Sequence, residues 1–175
     1  MSYIYILPIE TNPHPWIEPL KKSIHETFGF NSKILSPDIS LEKTFDLNRL
    51  QYNSSRILLQ MISNPPADAV KILGVVNVDL FIPILTFVFG EAQFRGIGSV
   101  VTLHRLNNKF YGLPEDNNIL SERLAKEAIH ELGHNFGLVH CNYQECVMKS
   151  STYVEDIDQK SHEMCERCRE KLRVM

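Results

Sequence analysis

The chain has 175 residues, of which 43% are apolar and 22% charged, and its net charge is −3. That length is enough for one domain with a sizeable core, and the balance is that of a soluble globular protein. No basic cluster offers a footprint for nucleic acid. The apolar stretch 73–90 is broken by Asn77, Asp79 and Pro83, which argues against a membrane span.

Residues 3–7 read as a buried first strand. No basic residue precedes this run and Pro8 and Glu10 follow it, so it does not resemble a secretory signal. A cytoplasmic protein with no inhibitory pro-segment ahead of this strand is expected. Residues 15–28 predict a helix with Trp16, Leu20, Ile24 and Phe28 on one face, ended by Gly29. Residues 33–35 suggest a second strand. Residues 47–62 predict a second helix with Leu50, Ile57, Leu58 and Met61 as apolar contacts, stopped by Asn64-Pro65-Pro66. Residues 70–78 form a near-continuous apolar strand of the kind buried on both faces. Further strands are expected at 84–89 and 99–103, with a turn at 94–98 between them. A polar loop at 113–118 leads to a helix over 121–136, with Ser121 as its N-cap. A short helix closes the chain at 162–172. The order β-α-β-α-β-β-β-α, with two early crossovers, predicts an α/β fold built on a largely parallel sheet. His14, His25 and His104 read as surface or structural histidines.

The predicted helix 121–136 carries the chemistry. His130-Glu131-Leu132-Gly133-His134 is followed by Gly137 and His140, giving H-E-x-x-H-x-x-G-x-x-H. Helical residues four apart share a face, so His130 and His134 project together and can hold one zinc ion through nitrogen. Glu131 is offset by about 100°, beside the metal, where a general base belongs. Gly137 ends the helix and lets the chain turn back to present His140. Three protein ligands leave a fourth position open, as in catalytic zinc sites.

All four cysteines lie in the last 35 residues, as Cys141-x4-Cys146 and Cys165-x2-Cys168. Two close pairs separated by 18 residues look like a closed four-cysteine zinc site. Two disulfides are the other reading, disfavoured in a cytosolic chain. His162, near Cys165, is a possible competing ligand that four available thiolates make unnecessary. His140 and Cys141 are neighbours, so such a knot would anchor the loop presenting the third histidine.

The run H-E-x-x-H-x-x-G-x-x-H-C-x4-C-x-M with a later C-x-x-C resembles the archaemetzincins, a family of the metzincin clan. Asp79-Leu80-Phe81-x-Pro83 and Val88-Phe89-Gly90-Glu91-Ala92 extend the resemblance upstream. Sixteen residues separate Met148 from Cys165, slightly fewer than in the family pattern. The resemblance implies one catalytic zinc on His130, His134 and His140, with Glu131 as base. It implies a second, structural zinc on Cys141, Cys146, Cys165 and Cys168, and a Met-turn at Met148 under the first site. It further implies a single metalloprotease domain over 1–175, with residues 140–175 carrying the cysteine knot. Within it, an antiparallel edge strand at 84–89 would pair with extended substrate. The expected function is peptide hydrolysis by a metal-activated water, endo- or aminopeptidase, in a monomer acting on peptides or small proteins, without nucleic-acid or membrane partners. The other expectation is a zinc-stabilised binding or regulatory protein of the same fold that cleaves little.

Overall fold

A computed structural model describes residues 2–36 and 38–174. A five-stranded sheet forms the centre. Its strands are β1 (Tyr3–Pro8), β2 (Ser32–Ile34), β5 (Ala69–Val76), β7 (Gly90–Ala92) and β8 (Gly98–Thr102), in the spatial order β2-β1-β5-β8-β7. The pairs β1–β2, β1–β5 and β5–β8 are parallel, and only β7 runs antiparallel, at the edge beside β8. A second sheet of three very short strands, β3 (Phe45–Asp46), β4 (Gln51–Asn53) and β6 (Leu80–Phe81), lies in the order β3-β4-β6.

Strand alternation gives the central sheet two cores. Ile4, Ile6, Leu73, Val75 and Val101 face α1 (Ile17–Phe28) and α3 (Asn117–Asn135). Tyr5, Leu7, Ile72, Val76 and Val100 face α2 (Ser54–Met61). Both faces are apolar because both are covered, the usual condition of a parallel sheet. Two short helices, α4 (Val154–Gln159) and α5 (Glu166–Arg173), complete the chain, and a third small core packs Ile129, Leu138, Val147 and Met148 against the cysteines. No helix among the described residues is long and apolar enough to cross a membrane.

Several boundaries differ from those the sequence predicts. The second helix does not begin at residue 47. Residues 47–50 form a turn, Gln51–Asn53 is β4, and the Asn53 side chain caps α2 by accepting from the Arg56 N–H. Leu50, expected as an apolar contact, is 71% exposed, and Leu47 in the same turn is 81% exposed. The segment 84–89 is not a strand. It forms a turn joined to β6 by a single antiparallel bridge between Leu80 and Val88, and the antiparallel edge strand follows it at Gly90–Ala92. Pro83, just before the segment, lacks a backbone donor, which favours a turn over a ladder. Helix α3 starts at Asn117, capped by Asp116 rather than Ser121, with the Asp116 carboxylate accepting from the Asn118 and Ile119 N–H groups. Helix α4 was not foreseen, and the last helix begins at Glu166.

Candidate metal centre

The site is built on α3. Its last two turns carry His130, Glu131 and His134, and the turn that ends it brings in His140. Gly137, at φ 91°, occupies the position after the cap. Its N–H donates to the His134 carbonyl at 3.0 Å and the next N–H, of Leu138, donates to the Gly133 carbonyl at 2.9 Å. This is the Schellman pattern, in which a glycine closes the helix and satisfies its orphan carbonyls. The chain then doubles back to His140, whose ring centre lies 5.2 Å from that of His130 and 4.9 Å from that of His134.

One ligand nitrogen from each histidine lies within 4.8 Å of the others. The Nε2 atoms of His130 and His134 are 3.2 Å apart. Two nitrogens at tetrahedral angles on one zinc ion stand roughly 3.3 Å apart, from bond lengths of ~2.0–2.1 Å. His130 Nδ1 lies 2.9 Å from the Val147 carbonyl and His134 Nδ1 lies 2.7 Å from the Leu138 carbonyl. A carbonyl only accepts, so each Nδ1 carries the proton and each Nε2 offers its lone pair, the outer-shell arrangement of metal-binding histidines. Burial pushes the proton affinity of all three imidazoles down, keeping them neutral as ligation requires. The residues present therefore fit a zinc ion.

Glu131 is fully enclosed, and burial, with Glu127 nearby, raises its carboxyl well above the usual range while Lys160 opposes the shift. A cavity of about 330 Å³ opens beside it, between a lip formed by Leu85 to Gly90 and a second lip at Ser150, Ser151 and Thr152. Glu127, one turn before His130, is held by a buried ion pair: Lys160 Nζ donates to Glu127 Oε1 at 2.9 Å and to the Lys149 carbonyl at 3.2 Å. Met148 lies under the helix, so close that a Cβ on Gly133 would land on its Sδ.

The four cysteine sulfurs form a second group within 4.8 Å of one another, with no disulfide among them. Cys141 Sγ and Cys165 Sγ are 3.8 Å apart, the separation of roughly 3.8 Å that two ~2.3 Å Zn–S bonds give at a tetrahedral angle. Burial raises the Cys141 thiol, but the Tyr143 N–H and the Arg167 guanidinium outweigh it and bring it down to about 7. His162 is exposed and stays outside this group. His104 belongs to neither group and packs edge-on against Phe110 at 5.1 Å.

The three histidines and the four cysteines singled out in the sequence fall in two groups, and Glu131 lines the cleft beside the histidines while Met148 packs against Gly133. Sequence reasoning missed Glu127, Lys160 and the close fit of Gly90 to Glu131. Glu127 had a signal, since it precedes Glu131 by four residues and shares its helix face. Lys160 had none, because its pairing spans 33 residues of sequence.

The chain is similar to known proteins over most of its length. The model of peptidase family M54 matches residues 34–174. An archaemetzincin of Methanocaldococcus jannaschii is 40% identical over 153 residues, covering 87% of this chain and 83% of that protein. The crystal structure of an archaemetzincin from Archaeoglobus fulgidus superposes with a TM-score of 0.82 at 37% identity, covering 97% of this chain and 99% of that one. A zinc-dependent peptidase from Methanocorpusculum labreanum superposes with a TM-score of 0.87 at 29% identity, covering 97% and 99%.

Proposed function

Since this chain belongs to peptidase family M54 and is a zinc metallopeptidase, we propose that His130, His134 and His140 hold the zinc at which it cleaves peptide bonds, with Glu131 as general base. In the same reading Cys141, Cys146, Cys165 and Cys168 hold a second, structural zinc, and residues 1–175 work as one domain with the cysteine knot at 140–175.

The observation that carries this reading is the convergence of three imidazoles whose ligand atoms lie within 4.8 Å of one another. Two of them are already oriented by carbonyls. When bound there, zinc polarises a peptide carbonyl and lowers the pKa of water from ~15.7 to ~7. Glu131 accepts the proton of the attacking water and passes it to the leaving amine. The edge strand β7 offers backbone N–H and C=O groups to an extended peptide entering between the two lips. Met148 supplies a polarizable apolar floor beneath the histidines.

The experiment is zinc content together with hydrolysis of a peptide library, wild type against Glu131→Gln. Two zinc ions per chain in both proteins, with turnover reduced about 10²–10⁴-fold in the variant, are expected. Turnover that survives the substitution removes Glu131 as base, and zinc content that His134→Ala leaves unchanged removes the histidine site. A wild type that binds zinc fully and cleaves no peptide in the library would instead support a zinc-stabilised binding protein of slow turnover.

A further inference from the structure

A second cavity, of about 570 Å³, lies at the C-terminal end of α3, around the turn that ends the helix. Its volume falls within the roughly 300–1,000 Å³ of small-molecule sites. Phe28, Phe30 and Phe136 give it an aromatic wall, with ring centres 4.9 Å apart for Phe28 and Phe136 and 6.0 Å for Phe30 and Phe136.

The charged residues of the wall are Lys71 and Arg95, and among the described residues neither makes an ion pair with a carboxylate. Lys71 Nζ donates to the Gly96 carbonyl at 2.8 Å and the Asn135 carbonyl at 2.9 Å, and lies 4.8 Å from the centre of the Phe136 ring. An ammonium has three N–H donors, so one is left over. Burial also pushes the Lys71 ammonium below the ordinary lysine range, the cost of half-burying a cation without a counter-ion. Arg95 is exposed at the rim, its guanidinium 5.5 Å from the Phe94 ring. Its backbone stands at φ 58°, unusual for a non-glycine, and its N–H donates to the His134 carbonyl at 3.0 Å. Asn135, 1% exposed, uses its amide nitrogen on the Gln93 and Gly98 carbonyls and leaves its side-chain oxygen without a partner.

We propose that this cavity is a binding site for a small aromatic acid, an aryl carboxylate or aryl phosphate, with its ring on the phenylalanines and its anionic group on Lys71 and Arg95. Two cations without a facing carboxylate select an anion, and the ring wall selects an aromatic body over an inorganic ion. The site is separate from the zinc cleft and shares only the helix turn that follows His134.

Calorimetric titration of the zinc-loaded full chain tests this with four probes: phenylacetate, phenyl phosphate, benzyl alcohol and inorganic phosphate. At least one aryl acid is expected to bind at a single saturable site. Benzyl alcohol and inorganic phosphate are expected to bind at least ~10-fold more weakly, about 1.4 kcal/mol. Arg95→Gln, on an exposed side chain, is expected to weaken the aryl acid ~10-fold, and Lys71→Met more. Should Lys71→Met not fold, Arg95→Gln decides alone. Absence of saturable binding by either aryl acid below ~10 mM overturns the proposal. So does affinity unchanged in Arg95→Gln, which would place the probe at the metal histidines instead.

Discussion

Gly90 fits against Glu131. A Cβ built on Gly90 would stand 2.7 Å from Glu131 Cγ and 2.8 Å from Glu131 Oε1. The edge strand therefore closes onto the carboxylate with no room for a side chain, and the strand that forms one side of the cleft also fixes where Glu131 can lie.

Gly90→Ala is expected to displace that carboxylate. The same Cβ would meet the Val100 carbonyl at 2.9 Å, so β7 must also shift, and overpacking of this kind costs about 1–3 kcal/mol. The expected result is turnover reduced by about tenfold or more, since small misplacements of reacting groups are expensive, while zinc content stays at the wild-type value. Steady-state hydrolysis and metal analysis of the purified variant check it. Full activity would show that Glu131 does not depend on this contact.

Lys160 and Glu127 are 1% and 4% exposed, so removing one partner strands a buried charge. Lys160→Met is expected to destabilise the zinc-loaded protein by about 3–5 kcal/mol. Adding Glu127→Leu should recover most of that loss. Urea unfolding of the two single variants and the double variant measures the coupling, and strictly additive losses would show that the pair is not a unit.

Asp79 tests the second sheet. Burial raises its carboxyl, but hydrogen bonds from Arg105 at 2.6 and 2.7 Å and from Gln51 at 3.0 Å outweigh burial and hold it below the ordinary range. A carboxyl depressed in the folded state binds its proton more readily when unfolded. Its contribution is therefore complete above the unfolded value of ~3.9 and lost as pH falls through the lower folded value. Asp79→Asn is expected to cost about 1–3 kcal/mol at pH 7 and to flatten the loss of stability below about pH 4. Unfolding curves between neutral and acid pH check both parts.

Cys141 follows His140 directly and its N–H donates to the Met148 carbonyl at 2.9 Å, so the proposed cysteine zinc site would anchor the loop that carries the third histidine. Cys165→Ser is expected to lower zinc content at both sites, because loss of the knot frees the loop that carries the third histidine. Structural zinc can contribute about 10–16 kcal/mol of apparent binding energy, enough to order residues 141–174. Zinc stoichiometry with hydrogen exchange across that segment checks it, and unchanged stoichiometry would count against the link.

The candidate site was legible in the sequence, because its pattern is local. His130 and His134 share a face by helical spacing, Gly137 ends the helix by its freedom at positive φ, and the two cysteine pairs are close in the chain; none of this needs distant contacts to be read. The parallel sheet was legible too, since doubly apolar strands separated by helices leave few alternatives. What only the tertiary structure decided was the set of contacts that cross the chain. Residues 84–89 carry the apolar pattern of a strand, yet Pro83 and the docking of Val88 on Leu80 turn them into the lip of the cleft. Leu47 and Leu50 have helical spacing but face solvent, because the register of β4 against β6 fixes their turn. Lys160 reaches Glu127, and Gly90 reaches Glu131, only once α3, the edge strand and the C-terminal segment are packed together. Spacing along the chain can announce which atoms bind a metal; the positions of their supports follow from packing between segments far apart in sequence.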